Sequence, residues 1–246
     1  MHYHSRIGHI GGNLSCLQTM LLLHHHIMEK DDVFVLSKGH AIGALYITLW
    51  TLGEIDDAAL TTFHADGTRL AGHPVAQWHP RIPVATGSLG HGLPMAIGMT
   101  LAKKLRCEPG RIFCLTSDGE WQEGSNWEAL IFANHHQLER LTILVDQNGW
   151  QGFGSTSEVA SMANLAPRLA AFGPRVTTVN GHDPQAMLQE ISLPPQDNPG
   201  PRILMLETIK GYGISFMENR LDSHYLPLDQ AGWKQAMREL ASREAS

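Results

Sequence analysis

Two short apolar runs, each broken by acidic and amide residues beside a glycine, constrain the fold of this chain most strongly. The first run, residues 111–115, breaks at residues 116–120, and the second, residues 141–145, breaks at residues 146–149. Residues 124–138 between them have a helical pattern. The unit therefore predicts strand, turn, helix and strand, and a right-handed crossover places both strand ends at the same edge of a sheet.

Oxygen-bearing side chains follow both predicted strands. Asp118 ends the first strand beside Gly119, and Asn148 follows the second strand thirty residues later. A carboxylate, an amide oxygen and one main-chain carbonyl leave octahedral positions open, an arrangement that suits Mg²⁺ shared with a ligand's phosphate oxygens. Gly119 allows the backbone to approach that phosphate closely. An Asp-Gly dipeptide alone is a common turn, so the prediction depends on the pair.

The remaining chain alternates between helical and strand patterns, which predicts an α/β fold with a mostly parallel sheet and helices on both faces. Residues 13–28, with Asn13 as the N-cap, and residues 157–172 are expected to form helices. Residues 65–85 form a long loop rich in Pro, Gly and His, and loops of this length inside a compact domain are usually functional.

Composition excludes several classes of protein. With 246 residues, 43% of them hydrophobic, the chain can bury one substantial core, and we expect one domain over residues 1–246. The net charge of −6 and the scattered basic residues argue against a nucleic-acid surface. The apolar stretches are too short to span a bilayer. We therefore expect a soluble, cytoplasmic protein with neither a nucleic-acid nor a membrane partner.

Fifteen histidines are the compositional outlier. Seven of them are expected on helix faces or at the surface, namely His2, His4, His24, His25, His26, His135 and His136. Four others lie in or near glycine-containing segments, where the backbone can turn sharply and leave room around the imidazole: His9, His40, His73 and His224. Such histidines suit a catalytic cleft. Cys114, in the apolar run before Asp118, is expected to be a buried thiol.

The order of these motifs resembles the amino-terminal half of transketolases, in the form found in split, two-subunit versions. The Asp118 to Asn148 unit itself resembles the signature of thiamine diphosphate enzymes. The motifs cover nearly the whole chain and are residues 8–12 (GHIGG), 36–40 (LSKGH), 71–74 (AGHP), 86–92 (TGSLGHG), 118–148 and 208–213 (TIKGYG), followed by His224.

The resemblance implies roles for individual residues. His9, His73 and His224 match residues that line the substrate cleft and supply the candidate catalytic bases, which the sequence cannot rank. The positions that match cofactor-binding residues are His40, Gly87, Leu89, Gly119, Glu120, Asn148 and His224. Asp118 and Asn148 match the Mg²⁺ ligands, with the main-chain carbonyl of Trp150 completing the protein's share, and Ca²⁺ or Mn²⁺ are possible substitutes. Glu123 matches a glutamate at the subunit interface.

The resemblance also implies a partner. In the family, a glutamate on a pyrimidine-binding domain activates thiamine diphosphate, and basic residues of that domain bind the acceptor's phosphate. That domain has no counterpart here, so we expect it on a second chain, with two copies of each subunit. The implied activity is transfer of a two-carbon ketol unit between sugars or sugar phosphates.

Two other functions fit part of the pattern. The α-subunit of a 2-oxoacid dehydrogenase also carries the Asp-Gly to Asn unit, but a 2-oxoacid does not require the glycine-flanked histidines. A non-catalytic partner could retain the fold and lose the chemistry, although Asp118, Asn148 and the four histidines are all present.

Overall fold

A five-stranded parallel sheet forms the centre of the protein in a computed structural model that describes residues 1–193 and 199–244. The strand order is β1-β2-β3-β7-β6. These strands are β1 (Val33–Leu36), β2 (Ile112–Ser117), β3 (Leu141–Gln147), β6 (Arg175–Asn180) and β7 (Arg202–Glu207). A separate antiparallel pair, β4 (Trp150–Gln151) and β5 (Gly154–Ser155), follows β3.

Twelve α-helical segments occur in the described part of the chain, several of them a single turn. They are α1 (His2–Ser5), α2 (Ile10–Leu14), α3 (Leu17–Leu22), α4 (Ile42–Thr51), α5 (Asp57–Thr61), α6 (Gly92–Leu105), α7 (Gly124–His135), α8 (Thr156–Val159), α9 (Leu165–Ala171), α10 (Pro184–Ser192), α11 (Asp222–Tyr225) and α12 (Gln230–Glu244).

The alternation of side chains along the strands produces one core on each face of the sheet. On one face, α3, α4 and α10 pack against Phe113, Leu115, Leu144 and Leu204. On the other face, α6, α7 and α9 pack against Ile112, Cys114, Ile143 and Met205. Because both faces are covered, the central strands are apolar throughout. The predicted α/β architecture, with helices on both faces, is confirmed.

The register of the central strands positions the candidate site. Ser117 of β2 is paired with Asp146 of β3, and the Asp118 amide donates to the Asp146 carbonyl at 3.1 Å. β7 runs parallel to β3, with Glu207 opposite Gln147. The residues that follow these three strands therefore lie at the carboxyl edge of the sheet.

Three local predictions were wrong. The helix expected over residues 13–28 is divided into α2, α3 and a π-helical turn at Leu23–Ile27. Asn13 lies inside α2 rather than at its N-cap, because its side chain bonds to the His9 carbonyl and the Ala44 amide. The helix expected over residues 157–172 is two helices, α8 and α9, and Asn164 begins the second in a left-handed conformation (φ 58°).

The surface placement expected for seven histidines was also wrong in part. His24 is buried, with its ring 5.0 Å from that of Phe34, and the half-buried His2 packs on Phe63. The buried thiol predicted at Cys114 is confirmed. Among the described residues, no helix is both long enough and apolar enough to cross a membrane.

Candidate active site

Asp118 and Asn148 meet at the carboxyl edge of the sheet, as their positions after β2 and β3 predicted. Asp118 Oδ2 accepts the Gly149 amide at 2.7 Å, so the carboxylate reaches the backbone beside Asn148. Asn148 Oδ1 accepts the Trp150 amide at 3.0 Å, and a carbonyl oxygen retains a second lone pair. Asp118 and Asn148 are both buried.

The donor set at this edge fits a hard cation. Burial raises the pKa of the Asp118 carboxyl to about 7, because hydrogen bonds from Gly149 and Gly119 only partly offset the loss of water. A cation beside Asp118 would restore the ionised form. The described residues contain no group of three or more His, Cys, Asp or Glu side chains arranged for a metal. The predicted set is of another kind, with one carboxylate, one amide oxygen and one main-chain carbonyl.

A buried ion pair supports these ligands. Asp146 pairs with Lys38, both side chains are fully buried, and Lys38 Nζ also donates to the Gly12 carbonyl at 3.0 Å. Asn148 Nδ2 donates to Asp146 Oδ2 at 2.9 Å, which directs Asn148 Oδ1 away from Asp146. Burial alone would raise the pKa of Asp146, but Lys38 and neighbouring hydroxyl donors hold it below its usual value.

Hydroxyl groups complete the coordination of that carboxylate. Ser15 Oγ donates to Asp146 Oδ2 at 2.7 Å, and the Thr208 hydroxyl bonds to Oδ1. Asp146 therefore connects the segment after α2, the residue after β7 and the Asn148 turn. The network fixes the geometry of the edge from three directions.

Four predicted histidines form one cluster beside this edge. The His9 ring centroid lies 5.5 Å from that of His40, 6.1 Å from that of His73 and 5.2 Å from that of His224. His40 and His224 are 5.5 Å apart. The His9 amide donates to the His224 carbonyl at 2.7 Å, which connects the first and last motifs of the sequence. His9 itself has a left-handed backbone (φ 64°).

The imidazoles of this cluster are held neutral. Burial, with the nearby His73 and Lys210, lowers the pKa of His9 to about 4. Burial and Lys210 lower the pKa of His224 to about 3. The pKa values of His40 and His73 are also lowered, chiefly by burial. Neutral imidazoles can accept a proton from a bound hydroxyl near pH 7.

Lys210 is the cation of the cluster. It is buried, and Nζ lies 2.9 Å from His224 Nδ1. Burial, reinforced by Lys38, lowers the pKa of Lys210 to about 8, so it keeps most of its charge at neutral pH. Within the described residues, Lys210 forms no ion pair with a carboxylate. A buried cation without a carboxylate partner fits an anionic ligand.

The remaining predicted residues surround the cluster. A Cβ added at Gly87 would lie 3.2 Å from His73 Cδ2, so Gly87 adjoins the cleft. Leu89 is half-buried two residues further on. A Cβ added at Gly119 would lie 2.8 Å from Gln151 Cβ, so the backbone is closely covered there. Glu123 is exposed at the start of α7.

Glu120 takes all its observed side-chain hydrogen bonds from the protein. Its carboxylate accepts Ser37 Oγ at 2.5 Å, the Gly90 amide at 2.9 Å and the Ser117 amide at 3.4 Å. The side chain therefore supports the loop at Gly90. A cofactor contact of Glu120 stays a prediction.

Sequence reasoning missed four residues of this region: Lys38, His64, Asp146 and Lys210. A lysine directly after an apolar strand and before two glycines was a usable signal for Lys210. His64 is exposed in a left-handed conformation (φ 60°), and its proximity lowers the pKa values of His9 and His73. No local signal marks Asp146 as the partner of Lys38, because 108 residues separate them.

These features define the class of the protein. A parallel α/β sheet places buried lysines, a carboxylate and an amide at its carboxyl edge, which is where such sheets bind ligands. Four neutral histidines adjoin that edge. The arrangement fits an enzyme subunit that binds an anionic organic cofactor and moves protons on a polar substrate.

Comparison with known proteins identifies the family. Residues 17–245 match the family model described as "Transketolase, thiamine diphosphate binding domain". One of the two subunits of the apulose-4-phosphate transketolase from Phocaeicola vulgatus is 36% identical over 98% of this chain and 89% of that protein. A Clostridium 6-deoxy-6-sulfo-D-fructose transketolase subunit is 35% identical, with coverage of 97% and 90%.

A solved structure shares the fold. The Pichia stipitis transketolase determined with sedoheptulose 7-phosphate superimposes with a TM-score of 0.87 at 25% identity, over 97% of this chain and 38% of that one. The chain thus spans less than half the length of that transketolase. This chain belongs to the transketolase family and corresponds to its thiamine diphosphate-binding part.

Proposed function

We propose that this chain, as a single diphosphate-binding domain over residues 1–246, supplies one half of an enzyme that transfers a two-carbon ketol unit. The donor is a ketose or its phosphate, and the acceptor is an aldose. The observation that carries the proposal is the cluster of four neutral histidines beside Lys210 and the Asp118 edge. Sugar hydroxyls require such groups, and a 2-oxoacid does not.

The polar edge holds the cofactor's charged end in this proposal. Asp118, Asn148 and the Trp150 carbonyl bind Mg²⁺, for which Ca²⁺ or Mn²⁺ can substitute. Lys210, His40 and the backbone at Gly119 face the diphosphate. Bound thiamine diphosphate supplies the carbanion-stabilising chemistry, and the protein supplies orientation and proton transfer.

The histidines divide into two roles by their hydrogen bonds. Lys210 donates to His224 Nδ1 while it is protonated, so neutral His224 carries its own proton on Nε2. His224 then donates a hydrogen bond to a substrate oxygen. His9 and His73 have no such cationic donor among the described residues, and they remain the candidate bases that accept a proton from a sugar hydroxyl.

The active site is completed by a second polypeptide in this proposal. Two similar proteins are named as transketolase subunits, which supports a split enzyme. The partner carries the pyrimidine-binding domain with its activating glutamate, and two copies of each chain assemble in the cytoplasm. Glu123, exposed beside the cleft, contacts that partner.

Ketol transfer by the co-expressed pair tests the function. The gene next to that of this chain supplies the partner, and transfer from hydroxypyruvate to glycolaldehyde is followed with thiamine diphosphate and Mg²⁺ present. We expect turnover that requires both additions. A pair that binds the cofactor but transfers no ketol unit would support the non-catalytic alternative, and oxidative decarboxylation of a 2-oxoacid would support the dehydrogenase.

A further inference from the structure

An aromatic side chain stands at the mouth of the histidine cluster without a role in the proposed chemistry. Tyr225 directly follows His224, and 52% of its surface is exposed. Its ring centroid lies 4.6 Å from that of His224 and 6.2 Å from that of His9. It therefore adjoins two cleft histidines and still presents half of its surface outward.

Three glycines permit this placement. A Cβ at Gly8 would lie 2.3 Å from the Tyr225 carbonyl oxygen, and one at Gly11 would lie 2.3 Å from Ser223 Oγ. A Cβ at Gly152 would lie 2.3 Å from the Tyr225 hydroxyl. The segment at 223–225 is thus inserted between the turn that carries His9 and the β4–β5 hairpin that follows Asn148. The ring is held between the histidines and the metal-side hairpin.

The exposed surface of Tyr225 suits a sugar. The faces of an aromatic ring carry partial negative charge, which attracts the polarised C–H groups of a carbohydrate chain. The Tyr225 hydroxyl forms no hydrogen bond within residues 1–193 and 199–244, so it is free for a ligand. Ligand sites commonly combine an apolar wall with a few convergent polar groups, and the four histidines supply those groups here.

We propose that Tyr225 is a specificity-determining residue that receives the C–H face of the acceptor sugar beyond its reacting carbon. This inference rests on the proposed ketol transfer. The reacting carbonyl lies at the histidines, and the carbon chain extends over the ring toward Gly152. Acceptors of four or five carbons reach the ring, and the two-carbon acceptor glycolaldehyde does not.

Acceptor discrimination in the assembled enzyme tests the proposal. The ratio of kcat/KM for erythrose to that for glycolaldehyde is measured with hydroxypyruvate as donor. In Tyr225→Ala we expect this ratio to fall about fivefold to tenfold, in line with the loss of an aromatic contact. Tyr225→Phe retains the ring, so its ratio should remain within about twofold of the parent.

Phe153 provides a matched control. It is 85% exposed on the β4–β5 hairpin, and within the described residues it makes no ring contact with the histidine cluster. Phe153→Ala should leave the acceptor ratio unchanged. An equal ratio in Tyr225→Ala and the parent would overturn the role of Tyr225 while leaving ketol transfer established by glycolaldehyde turnover. So would weaker binding of the partner chain by Tyr225→Ala with no change in the ratio, because the ring would then contact the partner.

A binding measurement reads the same contact without turnover. Ribitol lacks a carbonyl, and saturation-transfer NMR reports which of its protons approach the protein. We expect saturation of its C–H protons by the parent assembly and loss of that signal in Tyr225→Ala but not in Tyr225→Phe. Equal saturation by the parent and Tyr225→Ala would overturn the inference even if the assembly lacked ketol-transfer activity.

Discussion

The buried pair of Lys38 and Asp146 allows the clearest prediction of stability. Asp146→Asn removes the charge and retains nearly the same shape, so Lys38 remains fully buried without its counter-ion. Breaking a buried pair from one side typically costs about 3–5 kcal/mol. A domain is stable by about 5–15 kcal/mol, so this variant should lose a large share of its free energy of unfolding.

Equilibrium unfolding in urea measures this loss. The exposed pair of Arg106 and Glu108 is the matched control, with side chains 60% and 43% exposed. Glu108→Gln should cost less than about 1 kcal/mol, because water already solvates both charges. Equal losses in Asp146→Asn and Glu108→Gln would refute the reasoning that burial makes the Lys38 pair important.

A double substitution separates the pair from its surroundings. Lys38→Met alone leaves the Asp146 carboxylate buried with only neutral donors, and it should also destabilise the chain. Lys38→Met combined with Asp146→Asn removes both charges, and it should recover about 2 kcal/mol or more relative to the sum of the single losses. Strict additivity in this cycle would show that the two side chains do not interact energetically.

Three further predictions concern the site. Asp118→Ala should weaken both Mg²⁺ and thiamine diphosphate binding in the assembled protein, since the cation bridges the two; calorimetry showing parental cofactor affinity would remove Asp118 from the metal site. His73→Ala and His224→Ala should lower turnover about 100-fold or more and cofactor affinity far less, because the lost bonds act during cleavage; unchanged steady-state kinetics would exclude both. Burial holds the pKa values of His9 and His24 near 4, against about 6.5 when unfolded. The unfolded chain therefore binds protons first, and stability should fall as the pH drops from about 6.5 toward 4; equal urea midpoints at pH 7.5 and 5 would contradict this.

The sheet and the metal-side pair were predictable because their signals are local and periodic. Apolar runs identified β2 and β3, and the parallel register then required Asp118 and Asn148 to share an edge. The grouping of His9, His40 and His224 was different, because it came from a family resemblance. Their positions are up to 215 residues apart, and no periodicity connects them.

The failures share a physical cause, which is tertiary contact. Asn13 looked like an N-cap, but bonds to His9 and Ala44 hold it inside α2. Three consecutive histidines suggested an exposed face, yet the π-helical turn at Leu23–Ile27 directs His24 into the core. Lys38 and Asp146 could not be paired from sequence, because burial of both depends on the final arrangement of β1 and β3.

Reconstitution tests the central claim most directly, that this chain forms one half of an active site. The chain and its partner are purified separately, and ketol transfer is measured as the partner is titrated into a fixed amount of the chain with thiamine diphosphate and Mg²⁺. We predict negligible turnover by either chain alone and activity that rises to a plateau at one partner per chain. Robust turnover by this chain alone would contradict the account.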